Sequence, residues 1–171
     1  PATSPSIRGY HAMTFDGARG KVLLYGGYGS NGDAETWYWD GTNWANVSPA
    51  ANPGNQNGHA MVYDAARQKV VLFTGFSRQT WVFDGVNWAN VSPGNGVISP
   101  ESRDNFQMAY DAARQEVVLY GGSNLTTFWV WNGSTWIQRT PTTGIGFKNY
   151  SGMVYHAGLQ RVLLYGGQYP G

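Results

Sequence analysis

The chain has 171 residues and a formal net charge of +1, with eleven Lys and Arg against ten Asp and Glu. These charges form no basic run, so nucleic acid is not an expected partner, and no apolar stretch approaches the roughly 18 residues of a membrane span. Because the chain contains no Cys, disulfides, thiolate metal sites and thiol nucleophiles are excluded. The 24 glycines and 15% aromatic residues are typical of short strands joined by tight turns, which predicts an all-β fold.

The first predicted element is a hairpin that occurs four times along the chain. The block GYHAMTFDGARGKVLLYGG begins at Gly9, and related blocks begin at Gly58, Phe106 and Ser151. In each block an alternating strand meets a turn, and a β-branched and aliphatic strand follows. The copies share one methionine position, at intervals of 48, 47 and 45 residues: Met13, Met61, Met108 and Met153.

A second predicted hairpin lies between the copies of the first. It reads TWYWDGTNWANVSP from Thr36, TWVFDGVNWANVSP from Thr80 and FWVWNGSTWIQRTP from Phe128. Its Asp-Gly or Asn-Gly pair predicts a tight turn, since glycine tolerates positive φ. Two hairpins make four strands in about 47 residues, which is the repeat of a β-propeller blade. We therefore predict one domain, 1–171, with blades at approximately 8–49, 56–93 and 103–141 and half a blade at 148–167.

This repeat resembles that of the kelch family. A strand that ends in Gly26-Gly27 is followed by an aromatic residue on the third strand, and the Asp-Ala-Ala-Arg turns and Asp-Gly-x-x-Trp hairpins are similar to kelch repeats of bacterial, often exported, proteins. The pattern departs at Thr74-Gly75, where one glycine is lost, and at His156, which replaces a turn aspartate. The resemblance implies a kelch-type β-propeller in an extracellular or periplasmic location.

Most residues that suggest chemistry recur with the repeat, and this recurrence favours a structural role. We expect the tryptophans to pack blade against blade rather than to stack on sugars. We expect the turn aspartates to accept backbone N–H groups, with an arginine beside each, rather than to act as acids. The residues concerned are Trp37, Trp44, Trp81, Trp88, Trp129 and Trp136, and Asp16, Asp64 and Asp111 with Arg19, Arg67 and Arg114.

Neither a metal site nor a catalytic centre is expected. Repeat-equivalent positions lie a blade apart, so one ion is not expected to join the histidines His11, His59 and His156. Asp33 and Glu35 share a loop whose oxygens could hold Ca²⁺, although a solvated loop is the favoured interpretation. Copper enzymes of the galactose-oxidase type also carry kelch blades, but their cofactor needs a Tyr–Cys crosslink. We therefore expect no catalytic residue, no cofactor and no enzymatic activity.

The residues just before the first strand of each repeat differ in chemistry from copy to copy, although the strands beside them repeat. In kelch domains these residues lie on one face of the ring, around its central opening. The resemblance therefore implies a polar, mildly basic mouth, with a merely solvated rim as the alternative. Its residues are Arg8, Tyr10, Gln56, Asn57, Arg103, Asp104, Asn105, Lys148, Asn149 and Tyr150.

Four copies of the first hairpin and three of the second give about three and a half blades, whereas propellers typically have four to eight. The apolar faces at both ends of such an arc need a cover, from a longer propeller, from further copies or from another protein. We predict an assembly edge at Met153, Val162 and Leu164. The expected function is a non-catalytic module for protein–protein interaction or structural assembly. The alternative is a carbohydrate-binding, lectin-like module of an exported protein.

Overall fold

The computed structural model describes residues 1, 3–29, 34–94, 96–141, 144–146 and 148–168, and these form sixteen β-strands and no helix. The strands of the first repeat are Arg8–Gly9 (β1), Ala12–Asp16 (β2), Lys21–Tyr25 (β3), Tyr28–Gly29 (β4), Thr36–Trp39 (β5) and Trp44–Asn46 (β6). Those of the second are Ala60–Asp64 (β7), Lys69–Phe73 (β8), Thr80–Phe83 (β9) and Trp88–Asn90 (β10). The rest are Gln107–Asp111 (β11), Glu116–Tyr120 (β12), Phe128–Trp131 (β13), Trp136–Arg139 (β14), Asn149–His156 (β15) and Arg161–Gln168 (β16).

Each of the first three repeats forms a four-stranded antiparallel blade, in the orders β2-β3-β5-β6, β7-β8-β9-β10 and β11-β12-β13-β14. The fourth repeat is a two-stranded sheet, β15-β16, which we call the fourth hairpin. The register repeats with the sequence, because Met13 pairs with Leu24, and Met153 pairs with Leu164 at the equivalent position. A further short pair, β1-β4, lies beside the first blade.

The first strand of each blade lies on the inside of the arc. β2 contacts β7, β7 contacts β11, and β11 contacts β15, so these strands stand side by side around a common axis. Each blade then runs outward as a meander. This arrangement is that of a partial β-propeller with three complete blades and one hairpin of a fourth, as the repeat predicts.

Two buried apolar cores lie between the complete blades, one at each junction. In the first core Tyr25 packs against Trp88, with ring centroids 5.1 Å apart. In the second core Phe73 packs against Trp136, with ring centroids 5.6 Å apart. Aromatic pairs at such separations contribute about 0.5–1.5 kcal/mol beyond their burial. Trp88 and Trp136 therefore hold blade against blade, which confirms the packing role predicted for them.

One hydrogen bond is repeated at the two junctions. Trp88 Nε1 donates to Thr36 Oγ1 at 2.9 Å, and Trp136 Nε1 donates to Thr80 Oγ1 at 2.8 Å. In each case the donor lies on the fourth strand of one blade and the acceptor on the third strand of the blade before it. Both bonds are buried, where an unsatisfied polar group costs about 1–3 kcal/mol.

A second repeated contact joins the turns of neighbouring blades. The turn aspartate of the first and second blades accepts a hydrogen bond from its own arginine at 2.8 Å. The same guanidinium groups reach the next blade, where Arg19 donates to the carbonyl of Asp84 and Arg67 to that of Asn132. At Gly85, which follows Asp84, a Cβ atom would collide with the Arg19 guanidinium. The arginine of one blade therefore seats on the Asp-Gly turn of the next.

Both ends of the arc expose apolar side chains. Met13 and Phe15 are exposed on the outer face of the first blade, and Val154 and Tyr165 on the outer face of the fourth hairpin. Within the described chain no other blade packs against these faces. No described residue belongs to a helix long and apolar enough to cross a membrane.

Candidate functional site

The inner strands begin around a depression that we call the mouth cluster. It has a volume of about 320 Å³ and is lined by Tyr10, Tyr28, Asn57, Gly58, Phe76, Asp104, Asn105 and Tyr150. Most of these residues lie just before β2, β7 and β11 or at the start of β15, whereas Tyr28 and Phe76 follow the second strands of the first two blades. All four repeats therefore contribute a side chain to one concave surface.

One backbone feature recurs at the mouth in every repeat. Tyr10, Gly58, Asn105 and Tyr150 occupy the same repeat position and have φ angles of 57°, 67°, 54° and 56°. Glycine adopts this left-handed conformation freely and asparagine tolerates it, but for a bulky residue it costs on the order of 1–3 kcal/mol. Strain of this kind persists where the surrounding fold imposes it, and it clusters at binding and active sites.

The mouth carries an unusual share of solvent-exposed aromatic surface. Tyr10 is 74% exposed, Tyr28 70%, Tyr150 64% and Phe76 58%. Outside the mouth, Tyr25 and Tyr120 are buried between strands, whereas Phe15 and Tyr165 are exposed on the end faces of the arc. Four accessible rings around one depression provide flat apolar surfaces for a ligand.

Polar groups stand among these rings, and Asp104 is held in place. Ser123 Oγ donates to Asp104 Oδ1 at 2.6 Å and accepts from the Asp104 backbone N–H at 3.0 Å. Beside it, Asn149 Nδ2 donates to Asn124 Oδ1 at 2.8 Å. The mouth therefore presents an oriented carboxylate with the amides of Asn57 and Asn105.

Two residues predicted at the mouth lie elsewhere. Arg103 is fully buried and Arg8 nearly so; Arg8 Nη2 pairs with Glu35 at 2.6 Å, and Arg103 pairs with Glu101. Each arginine also donates to the carbonyl of the glycine that follows the second strand of its blade, Arg8 to that of Gly26 at 3.2 Å and Arg103 to that of Gly121 at 3.0 Å. The expectation that these arginines line the opening was wrong, because a glycine carbonyl 18 residues further along and a carboxylate bind each of them inside the blade. The carboxylate is 27 residues from Arg8 in one case and two residues from Arg103 in the other.

The remaining predicted rim residues border the mouth without lining it. Gln56 Nε2 donates back to the carbonyl of Pro53 at 2.8 Å, Lys148 is half-buried, and Asn149 is engaged with Asn124. Tyr10, Asn57, Asp104, Asn105 and Tyr150 do meet in the mouth cluster. The surface is therefore aromatic and polar rather than basic. Tyr28 and Phe76 were missed because they lie in segments after the second strand whose sequences do not repeat.

The loop considered for Ca²⁺ is only partly described. Asp33 lies outside the described residues. Glu35 accepts hydrogen bonds from Arg8 and from Trp37 Nε1, the latter at 2.9 Å. This carboxylate is thus engaged in holding the entry to the first blade.

The three histidines have separate surroundings. His59 is buried, its Nε2 lies 3.1 Å from the carbonyl oxygen of Tyr25, and burial lowers its pKa to about 4. His156 Nδ1 accepts the backbone N–H of Leu159 at 3.1 Å, so it caps the turn as Asp64 and Asp111 do in the second and third repeats. The described residues contain no group of three or more His, Asp or Glu side chains that could hold a metal ion.

No protein-family model and no curated protein matches the chain. Among solved structures, that of YjhT is similar with a TM-score of 0.68 and 11% identity, over 94% of this chain and 59% of that one. The SapL1 lectin, solved in complex with alpha methyl fucoside, is similar with a TM-score of 0.53 and 18% identity, over 84% of this chain and 49% of that one.

These likenesses concern the fold. Identities of 11% and 18% carry no residue-level correspondence, and the chain spans only about half to three fifths of either structure. The chain is an all-β, partial β-propeller, and the mouth cluster is its candidate ligand-binding site.

Proposed function

We propose that the chain is a non-catalytic propeller module of the kelch type that binds carbohydrate at the mouth cluster. The observation that carries the proposal is the set of four exposed aromatic rings around one oriented carboxylate and two amides. Sugar rings present apolar C–H faces, which pack on aromatic side chains, and hydroxyls, which donate to carboxylates and exchange hydrogen bonds with amides. The mouth offers both kinds of group within one depression.

Two further considerations support a binding role. Asp104 is the only carboxylate among the described residues lining the mouth, whereas glycoside hydrolysis generally needs two acidic groups across the scissile bond. A lectin solved with alpha methyl fucoside has a similar fold, so a propeller of this kind is compatible with sugar binding. An extracellular or periplasmic location, which forms part of the proposal, would bring the module into contact with glycans.

A glycan array tests this proposal. We expect the wild-type chain to bind a restricted set of glycans, and Tyr150→Ala to weaken that binding about tenfold or more by removing one aromatic face. Asp104→Asn, which keeps the shape and removes the charge, should also weaken it. Tyr165→Ala, an exposed tyrosine outside the mouth, is the matched control and should bind as wild type. Failure of the folded chain to bind any glycan, or unchanged binding by Tyr150→Ala, would contradict the proposal.

Protein–protein interaction is the second candidate function, and the exposed end faces favour it. Phe15 on the first blade and Tyr165 on the fourth hairpin are large, exposed aromatic residues on faces that neighbouring blades cover elsewhere in the arc. Propeller blades bury such faces against their neighbours, so a protein partner or further copies would gain apolar contact here. Light scattering should then give a molar mass above that of one chain. A monodisperse monomer that captures no partner would speak against this second function.

A further inference from the structure

A groove of about 870 Å³ lies between the third blade and the fourth hairpin, and it shares no lining residue with the mouth cluster. The third blade contributes Val118 and Phe128 to it, and the fourth hairpin contributes Met153, Val162 and Leu164. The last three are the residues that the sequence predicts as an assembly edge. They are half-buried, whereas their counterparts in the second and third blades are buried.

The complete blades show which side chains cover the positions that correspond to Met153, Val162 and Leu164. In the third blade, Leu119 on the second strand pairs with Trp129 on the third strand, and Trp131 and Trp136 cover the neighbouring apolar positions. The side chains of a blade's second hairpin thus pack beside those of its first hairpin, on the face that is turned toward the preceding blade. In the fourth repeat β16 pairs with β15, and no strand among the described residues pairs with its other edge.

Among the described residues, the Arg114 guanidinium at the groove donates to no turn carbonyl of a following blade, unlike its equivalents. Arg19 and Arg67 each reach a turn carbonyl of the following blade. Arg114 occupies the same position in the third blade and is held by Asp111 at 2.8 Å. Its side chain is 58% exposed, against 30% and 36% for the other two, and it lines the groove. The groove therefore presents a cation where an incoming turn would place its carbonyl.

We propose that this groove binds a β-hairpin with the chemistry of the chain's own second hairpin. One strand of that hairpin adds to the free edge of β16, which is binding by strand addition. Its tryptophans cover Leu164 and Val162, and its Asp-Gly or Asn-Gly turn accepts the Arg114 guanidinium. Phe128 stands where the other blades have Thr36 and Thr80, so the contact there is apolar rather than a hydrogen bond.

The probe is a fluorescein-labelled peptide of residues 127–141, closed by a disulfide between two added terminal cysteines so that it is held as a hairpin. Its binding to the full chain is measured by fluorescence anisotropy. The control peptide carries Ser in place of Trp129, Trp131 and Trp136. The chain variants are Arg114→Ala, Leu164→Lys and Tyr165→Lys, which places a charge on the opposite, exposed face of β16.

We expect saturable binding of the hairpin by wild type and by Tyr165→Lys, and none of the control peptide. Arg114→Ala should weaken binding about fivefold or more, since it removes a charged hydrogen bond. Leu164→Lys should abolish it. If Leu164→Lys fails to fold by circular dichroism, Arg114→Ala decides alone, because that side chain is exposed.

Four results would overturn the proposal. One is the absence of saturable binding by the folded wild-type chain. The second is equal binding of the two peptides, and the third is full affinity in Arg114→Ala. The fourth is self-association of the chain through this face, detected by light scattering and not displaced by the hairpin, which would identify a second copy as the occupant.

Discussion

At the scale of single residues, the mouth contains a conflict between local stability and surface chemistry. Tyr10 and Tyr150 hold a left-handed backbone that glycine adopts at no steric cost, and the second blade has Gly58 at the same position. The fold therefore imposes the backbone conformation at this position, but it does not determine which side chain is present. A tyrosine there contributes exposed aromatic surface at a cost in stability.

The substitution Tyr10→Gly separates these two effects. Relief of backbone strain should offset the greater freedom of glycine in the unfolded chain, so we expect the free energy of unfolding to stay the same or rise by up to about 1 kcal/mol. Glycan affinity should fall about tenfold or more. Denaturant unfolding and glycan binding measure the two quantities on one variant. A loss of stability greater than about 1 kcal/mol would show that Tyr10 supports the fold instead.

His59 is a second residue whose environment has a measurable consequence. Burial lowers its pKa to about 4, against about 6.5 in an unfolded chain. Between these two values the unfolded chain binds a proton that the folded chain does not. The contribution of His59 to stability is therefore constant above about pH 6.5 and decreases as the pH falls toward 4, by at most about 1.4 kcal/mol per pH unit.

We predict that His59→Gln reduces the pH dependence of unfolding between pH 6.5 and 4. Glutamine retains a donor for the Tyr25 carbonyl but does not titrate. The measurement is denaturant unfolding at several pH values, with His11→Gln, the exposed histidine at the same repeat position, as the control. Identical slopes for wild type and His59→Gln would show that His59 is not kept neutral by the fold.

At the scale of elements, the hairpins follow from the sequence and the contacts between blades do not. Strand alternation and Asp-Gly turns are local signals, and they place the hairpins correctly. Asp64 also accepts the backbone N–H of Arg67 at 3.1 Å, as its turn position predicts. The bond from Arg19 to Asp84, by contrast, joins residues 65 positions apart.

In the candidate site too, the sequence predicts some positions correctly and others incorrectly. Five of the predicted rim residues meet at the mouth because they flank strands whose place in the repeat is fixed. Arg8 and Arg103 occupy equivalent positions in their repeats, before the first strand. They are buried because Glu35 and Glu101 and two glycine carbonyls bind them. A charge beside a strand is normally solvated. Glu101 lies two residues before Arg103, but Glu35 and the two glycine carbonyls are brought to the arginines only by the assembled blade.

Substitutions in the Asp-Gly turns measure how much the arginine contact between blades contributes to stability. Gly41 and Gly85 both have a φ of 100° in Asp-Gly turns, but only Gly85 has an arginine against it. Gly85→Ala should therefore cost about 1–3 kcal/mol more than Gly41→Ala, because it also displaces Arg19 from its carbonyl. Denaturant unfolding measures both, and an Arg19→Ala background should remove the difference. Equal costs in the wild-type background would show that this contact contributes nothing.

At the scale of the whole molecule, the arc has two surfaces of different character. The mouth cluster draws on all four repeats and combines aromatic rings with polar groups. The groove at the fourth hairpin is lined by both apolar and charged residues, and it follows from the absence of a second hairpin in the described chain. Repeat architecture explains both, since stacked blades create a shared face at the strand entries and an open face at each end.

A crystal structure of the chain with the glycan that binds best on the array tests the central claim most directly. The account predicts a sugar ring packed on Tyr10 or Tyr150, with a hydroxyl donating to Asp104. A sugar bound at a blade junction, for example on Trp81, or at the groove beside Leu164 would contradict the assignment of the mouth as the binding site.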